Sequence, residues 1–323
     1  MATRYLDKVT SLSHILNRPD AAGIGVLAGN VYYNNGGSAV PLNGPFTLRD
    51  ALVVDATNYT ATNGLYQTIT TAVAAATTGD VIIVAPGDYD EHGISTPASV
   101  NFVTIVGTGN QPRACRWRNT ANDAEPFITI RGNGWVLQNM YFAGGTADSC
   151  VELLRDATYN ASESRILGCV FNGGTQHIEQ NGGVANIIIA NCRFIGGRGG
   201  SATTPGNIVG VSTAQAVPTN WEIVGNHFYN GDNIIACSMS RSLVRGNFIQ
   251  AVGHDGAATS PLDLIFNSAQ GDYNTVIDNY LGAVAANIDT GNGFKDGSNS
   301  VWANNFTSDG DTGDTPWYGV PTA

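Results

Sequence analysis

Leu137-Gln138-Asn139-Met140-Tyr141-Phe142, Ile166-Leu167-Gly168-Cys169-Val170-Phe171, Ile189-Ala190-Asn191-Cys192-Arg193-Phe194 and Ile223-Val224-Gly225-Asn226-His227-Phe228 repeat one short pattern. An aliphatic residue is followed by two variable positions, then Asn, Cys or Met, one variable position and a large apolar residue. Val244 through Ile249, Val276 through Leu281 and Val301 through Phe306 continue it, so the anchors read Met140, Cys169, Cys192, Asn226, Asn247, Asn279 and Asn304. Their steps of 29, 23, 34, 21, 32 and 25 residues are irregular. A solenoid gives this combination, because every coil must send the same side chains inward while its loops vary in length. The runs alternate with period two and are rich in Val, Ile and Phe, a strand signal rather than a helical one. The fold expected is all-β, a parallel β-helix.

Composition agrees with a chain of many tight turns. Charged residues make up 13% and glycine reaches 40 of 323 residues. Net charge is -11 with 15 Lys plus Arg and no basic cluster. Binding to nucleic acid or to an anionic membrane surface would therefore lack its main energetic term. No stretch approaches the ~20 apolar residues of a membrane-spanning helix, and Met1 to Leu12 lacks the apolar core of a secretory signal. Five cysteines do not suggest a disulfide framework. Cys169 and Cys192 occupy equivalent places on successive coils, near enough to bridge, but small buried residues stacked in a core is the preferred reading.

Taken in order, residues 1–45 lack the coil pattern and end in a Gly, Asn and Pro cluster from Asn34 to Pro45, read as loop or linker. They are expected to form an arm that docks on another surface. Residues 46–306 form the β-helix. Within it Tyr66, Ile69, Val73 and Ala76 fall on one face of a short helix near 66–76, placed to cover the solenoid's open end. Residues 307–323 form a tail: an acidic turn bearing Asp309, Asp311 and Asp314, then Pro316-Trp317-Tyr318. Those aspartates are the best metal candidates, but the run departs from a calcium loop at Gly313 and no bound metal is expected. Asparagines at the anchors are expected to bond one another or nearby backbone as a ladder.

The run Leu65-Tyr66-Gln67-Thr68-Ile69, then Gly79-Asp80-Val81-Ile82-Ile83-Val84-Ala85-Pro86-Gly87-Asp88-Tyr89 and Val103-Thr104-Ile105-Val106-Gly107, resembles the opening of pectin-lyase-like right-handed β-helix proteins. The resemblance implies a right-handed three-sheet coil with an N-terminal capping helix and identifies architecture, not activity. Arg4-Tyr5-Leu6-Asp7-Lys8-Val9-Thr10 through Asn30-Val31-Tyr32-Tyr33 is similar to the beginnings of β-helical virion proteins of tailed bacteriophages.

Enzymes on this fold would need converging carboxylates for hydrolysis, or a basic residue with calcium carboxylates for elimination. The nearest hydrolytic candidates are Asp232, Asp255 and Asp263, with His254 faintly like the Gly-His-Gly of polygalacturonases; that family's paired Asp-Asp and Arg-Ile-Lys segments are missing. Arg155, Arg165, Arg193, Arg241 and Arg245 read as exposed strand positions, and Glu152 with Glu179 as two solvated carboxylates on one face. No cofactor is implied. The resemblances point to a bacteriophage virion structural protein: a trimeric decoration, cement or fibre-like protein made in the host cytoplasm and anchored to other virion proteins through residues 1–45. The alternative is a tailspike-type depolymerase or a glycan-binding receptor protein that contacts host surface glycan.

Overall fold

The computed structural model describes residues 24–27, 30–34, 39–41, 51–56, 65–120, 125–144, 149–173, 176–196, 206–210, 217–229, 235–237, 239–250, 273–282 and 300–307. Three long sheets run through them, each built only of parallel strands. The first has eleven strands in spatial order from Val301–Ala303 to Leu65–Tyr66. The second has nine, from Phe306–Thr307 to Gly87–Asp90, and the third six, from Ile235–Ala236 to Ile94–Ser95. The chain visits first, second and third sheet in turn and then returns one rung further on. The protein is a right-handed parallel β-helix, the hand that parallel crossovers favour. At ~4.8 Å per rung its described length is about 45 Å.

Backbone geometry explains why the strands of the first sheet are so short. From Gly134 to Asp278, each is bounded by two residues with positive φ five positions apart: Gly134 and Asn139, Glu163 and Gly168, Asn186 and Asn191, Asn220 and Gly225, Arg241 and Gly246, Tyr273 and Asp278. A left-handed residue turns the chain sharply, so each pair makes the two corners of one coil. The second corner always carries Gly, Asn or Asp, the residues that tolerate the conformation. The first corner also holds Glu163, Arg241 and Tyr273, where neighbouring coils must offset strain of order 1–3 kcal/mol. Arg241 is therefore a corner residue and not, as its sequence position suggests, a strand residue.

Directly after the second corner comes the anchor, and in the last coil the structure corrects the sequence register by one. Val276 lies opposite Trp302, and Tyr280 opposite Phe306. The anchor is thus Asn305, while Asn304 is the left-handed corner with φ 53°. The ladder itself is present. Asn226, Asn247, Asn279 and Asn305 are buried, and each Nδ2 donates to the carbonyl of a residue on the preceding coil: Ile189, Ile223, Val244 and Val276, at 2.9–3.0 Å. Each Oδ1 accepts the backbone N–H of the preceding anchor, from Cys192 through Asn279. The cysteines do a reduced version of the same task. Cys169 Sγ donates to Leu137 O and Cys192 Sγ to Ile166 O. All five cysteines are buried thiols, and none is in a disulfide.

The core is continuous through the described coils and centres on the large residue two after each anchor from Met140 to Asn247. Phe142, Phe171, Phe194 and Phe228 stack with centroids 4.6–5.0 Å apart and rings within 6° of parallel. At the N-terminal end the helix Ile69–Ala75 buries Ile69, Ala72 and Val73 against the first rungs. Thr68 caps it, and Glu91 reaches over from the second sheet's side to accept from the N–H groups of Ile69 and Thr70. The segment read as loop within residues 1–45 contains strand: Ile24–Leu27, Asn30–Asn34 and Ala39–Pro41 form a three-stranded antiparallel sheet.

Candidate binding surface

Because side chains alternate along a strand, the inward phenylalanine stack fixes what faces out beside it. The residue after each anchor from Cys169 to Asn279 lies on the outer face of the second sheet. The ladder register sets Arg193 beside His227, His227 beside Phe248, and Phe248 beside Tyr280. Their rings touch: His227 and Phe248 have centroids 5.1 Å apart, and Phe248 and Tyr280 are stacked at 4.7 Å with planes 6° apart. Tyr280 is 37% exposed. This is an aromatic and basic column on the surface of an acidic protein.

At its centre three polar side chains meet. The Arg193 guanidinium lies 5.0 Å over the Tyr229 ring, and its Nη2 donates to the Tyr229 hydroxyl oxygen at 3.2 Å. His227 Nδ1 is 3.0 Å from that hydroxyl. The phenol oxygen can accept from Arg193 and His227 together, or accept from Arg193 and donate to Nδ1, according to the His227 tautomer. The group can bind anions or hydroxyls through Arg193 and His227. The described strands of this sheet bring no carboxylate near it.

Carboxylates on those strands lie at the other end. Asp88 receives Nε and Nη2 of Arg116, both at 2.7 Å, with Arg118 at 3.6 Å. The hydrogen bond from Arg116 holds Asp88 below the usual carboxylate range, and hydrogen bonds from the Thr120 hydroxyl and N–H do the same for Asp90. On the third sheet Glu152 and Glu179 lie directly opposite each other in register, and the Thr129 hydroxyl donates to Glu152 at 2.8 Å. They do share a face, as a ladder on a sheet surface.

Asp232, His254, Asp255 and Asp263 lie outside the described residues, as do Asp309, Asp311 and Asp314. Arg165, Arg193 and Arg245 are exposed strand residues. Arg155, just past the strand Ser149–Leu154, donates to Gly183 O. Among the described residues no group of three metal-ligating side chains converges, and no helix is long and apolar enough to cross a membrane.

No protein-family model matches the chain, and no curated protein does. Solved structures do resemble it. Pectin methylesterase from Aspergillus niger is 15% identical over 85% of this chain and 91% of its own, with a TM-score of 0.47. Geobacillus virus E2 ORF18 is 13% identical over 87% of this chain and 62% of its own, at 0.46. A PL6-family alginate lyase, AlyGC, is 13% identical over 80% of this chain and at 0.42. The chain spans only 38% of that lyase. Likeness at this level carries nothing about what the chain binds or does.

The sequence pattern did not single out His227, Tyr229, Phe248 or Tyr280, although the signal is present. The position after the anchor runs Tyr141, Val170, Arg193, His227, Phe248, Tyr280, Phe306, and a variable position that turns aromatic on successive coils marks a surface column.

Proposed function

We propose that the chain is a non-catalytic structural component of a bacteriophage virion: a short β-helical decoration or fibre-like protein, homotrimeric, held on the particle by residues 1–45. The observation that carries this reading is the anchor ladder. Its polar side chains are buried and engaged with neighbouring coils, which suits a rigid rod and leaves them no part in surface chemistry. The resemblance of residues 4–33 to the starts of phage β-helical proteins adds the particle. The test is mass spectrometry of purified particles carrying either the full chain or one lacking residues 1–45. Presence of the full chain and loss of the truncated one is the expected result. A truncated chain that still joins the particle removes the anchoring role, and absence of both removes the virion role.

A glycan-binding receptor protein is the second reading, favoured by the exposed Arg193, His227 and Tyr229 group. Ring faces of Phe248 and Tyr280 are turned to each other, so a sugar would meet edges rather than a stacking platform. If host surface polysaccharide binds the wild type and not Tyr229→Ala, this reading displaces the first.

A further inference from the structure

We propose that two copies of the chain pair antiparallel through the outer face of the first sheet, about a two-fold axis that lies along the strand Ile188–Ala190. The pairing is independent of the trimeric reading, since a three-fold contact would use another face.

Each three-residue strand of this sheet turns its middle residue into the core and its other two outward, so two columns run along the rod. They are mainly apolar: Val136, Leu167, Ile188, Val224 and Leu243 are partly exposed, and Val301 is 56% exposed. Over the nine rungs from Val81–Val84 to Val301–Ala303 the face measures about 40 Å by 10 Å. An exposed apolar patch of several hundred Å² marks a contact surface.

The few charges on this face select both the partner and the register. Arg165, Ile188 and Glu222 occupy successive rungs of one column. Arg165 and Glu222 are exposed, and within the described residues no ion pair holds either. About an axis along Ile188–Ala190, rungs equally far before and after it meet. Arg165 then faces the partner's Glu222, and by symmetry Glu222 faces the partner's Arg165. The other positions agree. In the second column Gln138 faces the partner's Arg245, and one rung further out in the first column Thr104 faces the partner's Thr275. The rest set aliphatic against aliphatic: Leu167 against Val224, Val136 against Leu243, and Val106 against Ile277. Other arrangements fail. A slip of one rung sets Arg165 against Ile188 or Leu243. In a parallel pair equal rungs meet with the columns exchanged, which sets Arg165 against Leu167 and Glu222 against Val224. Each of these buries unpaired charge. A face that matches its own reverse is the property of an isologous contact, so the occupant is a second copy.

The test is a charge exchange across the axis. Arg165→Glu, Glu222→Arg, the double variant and Ile188→Asp are compared with the wild type by light scattering after size exclusion, with circular dichroism melting to show that each is folded. The expected wild-type mass is two copies, or six if a three-fold contact also joins them. Arg165→Glu and Glu222→Arg each set like charges together twice, and Ile188→Asp sets two carboxylates together at the axis, so each should halve that mass. The double variant should restore it. A wild type of one or three copies overturns the pairing, and three leaves the trimeric reading standing. Two copies support the pairing and remove the trimer. Folded single variants that keep the full mass overturn the proposed face, as does a folded double variant that fails to regain it.

Discussion

Asn247 has its amide fully engaged inside the rod. Oδ1 accepts from the N–H and Nδ2 of Asn226, while Nδ2 donates to Ile223 O and Asn279 Oδ1. Replacement by Ala strands buried partners on three residues, and the expected loss is about 3 kcal/mol in chemical denaturation, since each unsatisfied buried group costs ~1–3 kcal/mol. Asn247→Cys should lose less, because Cys169 and Cys192 already stand at this position with a carbonyl-directed thiol. Asn304 is a different case despite its place beside Asn305. Asn304→Gly should leave stability nearly unchanged while Asn304→Ala costs about 1 kcal/mol, the pattern of a left-handed corner rather than of an anchor. This off-by-one was legible. The residue before every other anchor from Cys169 onward is Gly, Asn or Asp, whereas an anchor at 304 would put Ala303 at the corner. The simpler pattern favoured the wrong register, because an anchor at 304 has Val301 three before it and Phe306 two after it, whereas an anchor at 305 has Trp302 and Thr307 there.

Among the elements, the phenylalanine stack binds successive strands of the second sheet into one unit. Phe171 is sandwiched between Phe142 at 4.9 Å and Phe194 at 5.0 Å, so Phe171→Ala opens a void within the column and should cost about 3–5 kcal/mol, read as a lowered thermal midpoint. The strands that carry such stacks were visible in the sequence because their buried positions are aliphatic or aromatic. Gln176–Asn181 was not. Its buried side chains include His177, whose ring lies 5.7 Å from both Phe171 and Phe194, and Gln180, whose Oε1 accepts from the N–H groups of Gly183 and Val184. Polar residues inside a core leave no apolar alternation to read. The antiparallel strands before residue 45 were hidden for another reason: turn-forming residues crowd around Ala39–Pro41, and so short a strand has almost no pattern of its own.

At the scale of the whole molecule, the interior sets a limit on alkaline stability. Burial pushes the Cys237 thiol up to about 12, and the Tyr89 hydroxyl, bonded to Ala85 O, also to about 12; burial raises Cys192 as well. These groups stay protonated when folded but ionise at ordinary values when unfolded, near 8.5 for cysteine and 10 for tyrosine. Their contribution to stability is complete below about pH 8.5 and declines as the pH rises towards 12. Denaturant midpoints measured from pH 7 to 11 should therefore fall, and the five thiols should resist alkylation until the chain unfolds. A flat midpoint with reactive thiols would mean that the core admits solvent. The candidate surface was less legible than the core because outward positions answer to no packing rule, and only the strand register makes a column of them. The ladder sets a direction as well as a shape. Each anchor's N–H from Cys192 to Asn279 is completed by the coil made after it, so during synthesis a coil remains unfinished until its successor emerges. Every joint between asparagine coils is also chemically alike, so the rod can be lengthened or shortened by whole coils. Removal of residues 226–246 would bring Gly225 before Asn247 and present Cys192 with the amide oxygen of Asn247 in place of that of Asn226.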